Sequence, residues 1–203
     1  MKIRKLVAID LLPTERRAKE MGFPYFPVQE FIACCAKEHA GEHVDIIEAL
    51  CTLQLRVPED DTVEAMAQAR QQFEKKRYAL EMCGVRVIEC PSKRSQNSPS
   101  GFKQSDDQRL MIRTLILSMK LRPDFVILVA SDGDYTPMVE ALRDEGIRTE
   151  VVASFPLLAN DLRRHAVRVV DLDEVLDKIL VRQRSGDARL FCVCGGNPPD
   201  DSD

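Results

Sequence analysis

Apolar positions along the chain follow two rhythms that alternate with each other. The run at 5–10 (KLVAID) is apolar and closes on an acid, the pattern of a strand buried on both faces of a parallel sheet. At 48–57 the period is two, with Ala49, Cys51, Leu53, Leu55 and Val57 on one side and Leu50, Thr52, Gln54 and Arg56 on the other. That alternation predicts a second strand, ended by Pro58. Further strands are predicted at 85–90 (VRVIEC), 125–131 (FVILVAS), 148–153 and 167–172. The run at 125–131 is the most hydrophobic and is expected at the centre of the sheet.

Between these runs the apolar spacing changes to three and four. Helices are predicted at 28–40, stopped by Gly41, and at 62–83, where Met66, Ala69, Phe73 and Leu80 share one face. Asp61 and Glu64 offer a capping box for the second of these and Gly84 its stop. Others follow from Ser105 or Asp106 to Lys120, at 135–145 before Gly146, at 156–164 and at 173–181. The stretch before residue 28, rich in Pro and aromatics at 22–27, reads as a connection. Residues 91–104 have hardly an apolar side chain and read as a flexible surface loop. Strands alternating with helices predict an α/β fold, a three-layer α/β/α domain with a mainly parallel sheet of about five or six strands. The domain is expected over 1–182, with 183–203 as a mobile acidic tail.

Length agrees, since 203 residues hold one domain, or one domain with a tail. No apolar run approaches the roughly 18–20 residues of a membrane span. The basic start, Lys2, Arg4 and Lys5, precedes an apolar run that meets Asp10 after four residues. A secretory h-region needs about 7–15, so a cytoplasmic protein is expected. With 29 basic and 33 acidic residues the net charge is −4, so binding to a polyanion requires a local basic patch. Seven cysteines form an odd set without framework spacing, which fits a reducing compartment. Cys35, His39 and His43 recur every four residues like zinc ligands on one helical face, but Gly41 interrupts that helix and no fourth ligand is near.

In an open parallel sheet, ligands bind beyond the carboxyl ends of the strands, at the point where connections leave in opposite directions. Asp10 ends the first strand, Asp132 and Asp134 follow the fourth, and Asp106 opens the helix after the third. Neighbouring first and fourth strands bring these acids to one edge. Clustered carboxylates repel one another unless they are protonated or hold a divalent cation, and hard oxygen ligands suit Mg²⁺ or Mn²⁺. The chain has no GxxxxGK[ST] loop, no GxGxxG after the first strand and no GxSxG elbow. None of His39, His43 and His165 falls at the predicted edge. Lys93, Arg94 and Lys103, with Arg109 and Arg113, are the basic residues nearest the acids in sequence and candidates for RNA backbone contacts.

Asp10, the Lys103-Gln-Ser-Asp106 opening of a helix, and the segment FVILVASDGDY at 125–135, leading to Pro137 and Gly146, resemble the NYN-domain, LabA-like branch of the PIN-like nucleases. The resemblance runs from about residue 6 to 172. It implies a PIN-like Rossmannoid fold and a metal-dependent ribonuclease, with Asp10, Asp106, Asp132 and Asp134 as both the catalytic and the metal-binding set. At Leu11-Leu12-Pro13 the chain departs from the family, which usually has a small residue and then an asparagine after its first aspartate. That departure is what an interaction or regulatory module with weak or silent catalysis would show, and such a module is the alternative reading. RNA is the expected partner, no membrane is, and the pattern does not decide between a monomer, a homo-oligomer and a complex with a protein partner.

Overall fold

The computed structural model describes residues 2–37, 43–55, 62–91, 93–94, 102–103 and 106–185. The chain begins β1 (Lys2–Ile9), α1 (Leu11–Glu20), α2 (Val28–Ala36), β2 (His43–Leu55), α3 (Val63–Met82) and β3 (Arg86–Pro91). A two-stranded hairpin follows, β4 (Lys93–Arg94) with β5 (Phe102–Lys103), and then α4 (Asp106–Leu121) and β6 (Phe125–Val129). The chain continues as α5 (Thr136–Asp144), β7 (Arg148–Ala153), α6 (Asn160–His165), β8 (Arg168–Asp171) and α7 (Leu172–Arg184).

Six strands form one parallel sheet in the order β3-β2-β1-β6-β7-β8. Successive strands step outward from β1 to β3, and then the chain returns to β6 on the other side of β1. This is the strand order of a doubly wound sheet, and its switch point lies between β1 and β6. Alternate residues of β1 face opposite layers. Val7 and Ile9 join a core with Phe31 of α2, Phe73 and Leu80 of α3, and Leu176 of α7. Leu6 and Ala8 join a second core with Leu110 of α4, Met138 and Leu142 of α5, and Leu162 of α6. All five residues of β6 are buried, as a strand covered on both faces requires.

The period of two expected in the second strand is real, since Ala49, Cys51 and Leu53 face one core and Leu50 the other. Both early strands start sooner than their apolar runs, at Lys2 and His43. Their first halves are polar at the rim, where Lys2 pairs with Asp45 at 2.9 Å. Helix α1 has no counterpart in the expected elements. It buries only Leu11, Thr14 and Ala18, a thin stripe, and Pro13 sits in its first turn, where a missing N–H costs nothing.

Helix α3 is capped by Thr62, whose Oγ1 accepts from the Ala65 N–H at 3.2 Å, and ends at Gly84 with φ +75. Asp61 lies outside the described residues, as do Ser105, the predicted ends at 38–41 and 56–57, and 186–203 of the expected tail. Helix α2 ends at Ala36 and His43 begins β2, so Cys35 and His43 share no helical face; His39 is outside the described residues. The segment expected as a loop contains the antiparallel β4–β5 pair, with Lys93 opposite Lys103.

Candidate metal centre

The switch point of the sheet gathers acids from three elements. Asp10 follows β1, and its N–H donates to the carbonyl of Val129 at 3.0 Å, which continues the β1–β6 ladder to the carboxyl edge. Its carboxylate makes no cap for α1. Asp106 and Asp107 form the first turn of α4, and Asp132 and Asp134 flank the 3-10 turn Gly133–Tyr135 after β6. Close packing holds that turn in place: a Cβ on Gly133 would meet the Ala159 Cβ at 3.3 Å, and the Ala159 N–H donates to Ser131 O at 2.9 Å.

Asp10, Asp106 and Asp107 each present a ligand atom within 4.8 Å of the other two. Asp10 and Asp106 are each only 5% exposed, and Asp107 is half-buried. Oδ1 of Asp10 and Oδ1 of Asp106 are buried without any hydrogen-bond partner. A buried carboxylate oxygen left bare is costly, so both oxygens lack a ligand that the protein itself does not supply. The remaining atoms are well held. Gln54 Nε2 donates to Asp106 Oδ2 at 2.6 Å, and the Tyr135 hydroxyl donates to Asp107 Oδ1 at 3.2 Å.

The acids feel one another. The pKa of Asp10 is pushed up to about 7, first by burial and then by the charges of Asp107, Asp106 and Asp132, against a hydrogen bond from Tyr135 that lowers it. Burial and then Asp106 raise Asp107, with further contributions from Asp132 and Asp134. The Tyr135 phenol is driven up by burial and by Asp10 and Asp107, so it remains a donor.

Sequence reasoning selected Asp10, Asp106, Asp132 and Asp134. The structure brings Asp10 and Asp106 into direct proximity and keeps Asp132 and Asp134 exposed at the margin of the same field. Asp132, not Asp134, is the cap of the turn, its Oδ1 accepting from the Asp134 N–H at 3.0 Å. Asp107 was missed. Adjacent helical residues point to different sides, which argued against two of them reaching one site. Its signal was the buried Tyr135, whose hydroxyl requires an acceptor.

The predicted basic residues divide into two groups. Arg109 and Arg113 line a groove of about 470 Å³ between α4 and β3, together with Arg86 and Lys120. Lys93, Arg94 and Lys103 lie on the hairpin that connects the same two elements.

The model of the NYN domain matches residues 26–173, which is most of the chain. This chain belongs to the NYN-domain family. That family is one of PIN-like nucleases, and with it the three-layer fold and the sheet-edge acids acquire a common context. Among solved structures, the chain is similar to a protein of unknown function, VPA0982, from Vibrio parahaemolyticus RIMD 2210633. The two are 20% identical, the match covers 86% of this chain and 94% of that one, and the TM-score is 0.59, a likeness of fold. A cobalamin-binding protein from Desulfitobacterium hafniense (14% identity, 68% and 57% coverage) and a pyrazinamidase/nicotinamidase from Streptococcus mutans (15%, 91% and 96%) reach TM-scores of only 0.28 and 0.29. No curated protein matches the chain. No helix of the NYN protein, among its described residues, is long and apolar enough to cross a membrane.

Proposed function

We propose that this NYN protein is a metal-dependent ribonuclease that hydrolyses RNA phosphodiester bonds at the β1/β6 switch point. The observation that carries the reading is the pair of buried, unpartnered oxygens, Asp10 Oδ1 and Asp106 Oδ1, set within a cluster of three carboxylates. Hard oxygen donors left bare in this way fit Mg²⁺ or Mn²⁺. Asp10, Asp106 and Asp107 would hold the ion, and Asp132 and Asp134, exposed beside them, would extend the set towards solvent. A bound divalent ion supplies positive charge for the scissile phosphate and lowers the pKa of attacking water.

The chain's own residues do the rest. Gln54 and Tyr135 fix the carboxylates of Asp106 and Asp107, so these ligands need no rearrangement when the ion enters. Asp10, near 7, releases its proton to become a ligand. Arg109 and Arg113, one and two turns along α4 from Asp106, hold the RNA backbone with Lys93, Arg94 and Lys103 of the adjoining hairpin. Cys34, Cys35, Cys51, Cys83 and Cys90 are all free, which supports a reducing, cytoplasmic setting.

The test is cleavage of single-stranded and structured RNAs by the full chain with Mn²⁺, with Mg²⁺ and with EDTA, beside Asp106→Asn. Metal-dependent cleavage that the variant lacks is the expected result. No cleavage together with no heat on Mn²⁺ titration overturns the reading and leaves an interaction module.

A further inference from the structure

Asp106 also forms one wall of a cleft of about 240 Å³, which opens between α1 and α3 over the end of β2. Its apolar surfaces come from Leu53 and Phe73, both 5% exposed. The polar ones are the side-chain amides of Gln54 and Gln72. Lys76 of α3 and Glu15 of α1, both at the cleft, are joined by an ion pair of 2.5 Å that ties the two helices together.

Pockets for whole drug-sized ligands run from about 300 to 1,000 Å³, whereas a cavity of about 150 Å³ accepts a single benzene ring. The cleft lies between these sizes, so it suits one flat heterocycle attached to something larger. Its mixture of apolar surface and amides suits a ring with a polar edge. Gln54 constrains that edge further. Its Nε2–H is already donated to Asp106, where its carbonyl oxygen would meet a carboxylate, so the free group of Gln54 is an acceptor. The occupant must therefore bring an N–H donor.

We propose that the cleft receives one unpaired nucleobase of the RNA strand, beside the scissile phosphate. The inference rests on the ribonuclease reading and adds its substrate class, single-stranded RNA. In a duplex the N–H donors of the Watson–Crick edge are occupied by the partner base, so a paired base cannot satisfy Gln54 and cannot leave its stack without cost. Gln54 touches both the base and Asp106, so the same side chain reports occupancy of the cleft to the carboxylate cluster.

The test uses the full chain and a short single-stranded RNA carrying one abasic nucleotide at each position in turn. Binding is read by fluorescence anisotropy in EDTA and cleavage in Mn²⁺. At one position the missing base is expected to weaken binding about tenfold, in the range that one stacked base contributes. Ala69 lines the cleft on α3, and Ala69→Leu fills it with a good helix former. This variant is expected to bind the intact strand as weakly as wild type binds the sensitive abasic strand, and to ignore the abasic site. Gln72→Ala, an exposed change that leaves the fold intact, is expected to lose part of the same discrimination. If no position is sensitive, or both variants keep the wild-type profile, the inference is wrong. Abasic sensitivity in EDTA without any cleavage sinks the ribonuclease reading alone, and cleavage without a sensitive position sinks this inference alone.

Discussion

The hydroxyl of Tyr135 donates to Oδ1 of Asp107 at 3.2 Å and so joins the turn after β6 to the first turn of α4. Tyr135 is fully buried, and this bond works against the forces that push the Asp107 carboxyl up. Tyr135→Phe removes the donor and keeps the ring. We expect a loss of about 1 kcal/mol in stability, typical of one hydrogen bond. Asp107 should also hold its proton more tightly, so Mn²⁺ should bind several-fold more weakly at neutral pH. Calorimetric titration beside a thermal melt separates the two effects, and an unchanged Mn²⁺ affinity would remove Tyr135 from the site.

Charge removal distinguishes a metal site from a set of helix caps. Without metal the carboxylates repel, so Asp106→Asn should melt no lower than wild type in EDTA. The new amide oxygen can still accept from Gln54. With Mn²⁺ at about 100 times its dissociation constant, wild type should gain about 2.7 kcal/mol and the variant almost none. Asp132→Asn should keep its cap, since asparagine caps as well as aspartate, and lose less of the Mn²⁺ effect because Asp132 is exposed. A clear drop in the EDTA melt of Asp106→Asn, with the Mn²⁺ shift intact, would make Asp106 part of the scaffold.

Much of this site was legible because parallel strands leave a simple trace. A buried run that closes on an acid, such as 5–10, states both the strand and the edge where a ligand sits. The strand order then brought Asp10 beside the turn after β6, as the switch-point rule requires. What escaped was held by tertiary contact. Helix α1 is amphipathic by only three residues and carries Pro13, and it is fastened from outside by Arg17, whose guanidinium donates to both carboxylate oxygens of Asp173 at 2.9 and 2.7 Å. No local pattern announces a partner 156 residues away. Gln54 was read as the polar side of an alternating strand, and its bond to Asp106 exists only once β2 and α4 are packed together.

The sheet also contains a buried ion pair remote from the acids. Lys5 Nζ and Glu150 Oε2 are 3.1 Å apart, with side chains 0% and 3% exposed, and Arg168 approaches the other Glu150 oxygen at 3.9 Å. Glu150→Gln leaves Lys5 charged in the interior, and the expected cost is about 3–5 kcal/mol. Replacing the pair together, Lys5→Met with Glu150→Leu, should cost far less, because neither charge is then left alone. Urea melts of the single and double variants measure this. Equal losses would show that shape at these positions matters more than charge.

Asp10 gives the protein a pH dependence whose sign differs with and without metal. Its carboxyl has an ordinary pKa of 3.8 in the unfolded chain and about 7 in the fold, so between these values the folded state binds the extra proton. Stability from this group is therefore present below about 3.8 and declines as pH rises towards 7. The gap corresponds to at most about 4 kcal/mol, and relaxation of the neighbouring acids will reduce it. In EDTA, wild type should fall in stability relative to Asp10→Asn as pH is raised from about 4 to 7. Metal binding has the opposite slope, because the ion displaces that proton. Mn²⁺ affinity should rise as much as tenfold per pH unit below about 7 and level off above it. A wild-type stability that runs parallel to Asp10→Asn across this range, with Mn²⁺ affinity flat, would mean that Asp10 is ionised throughout and that its burial does not control entry of the ion.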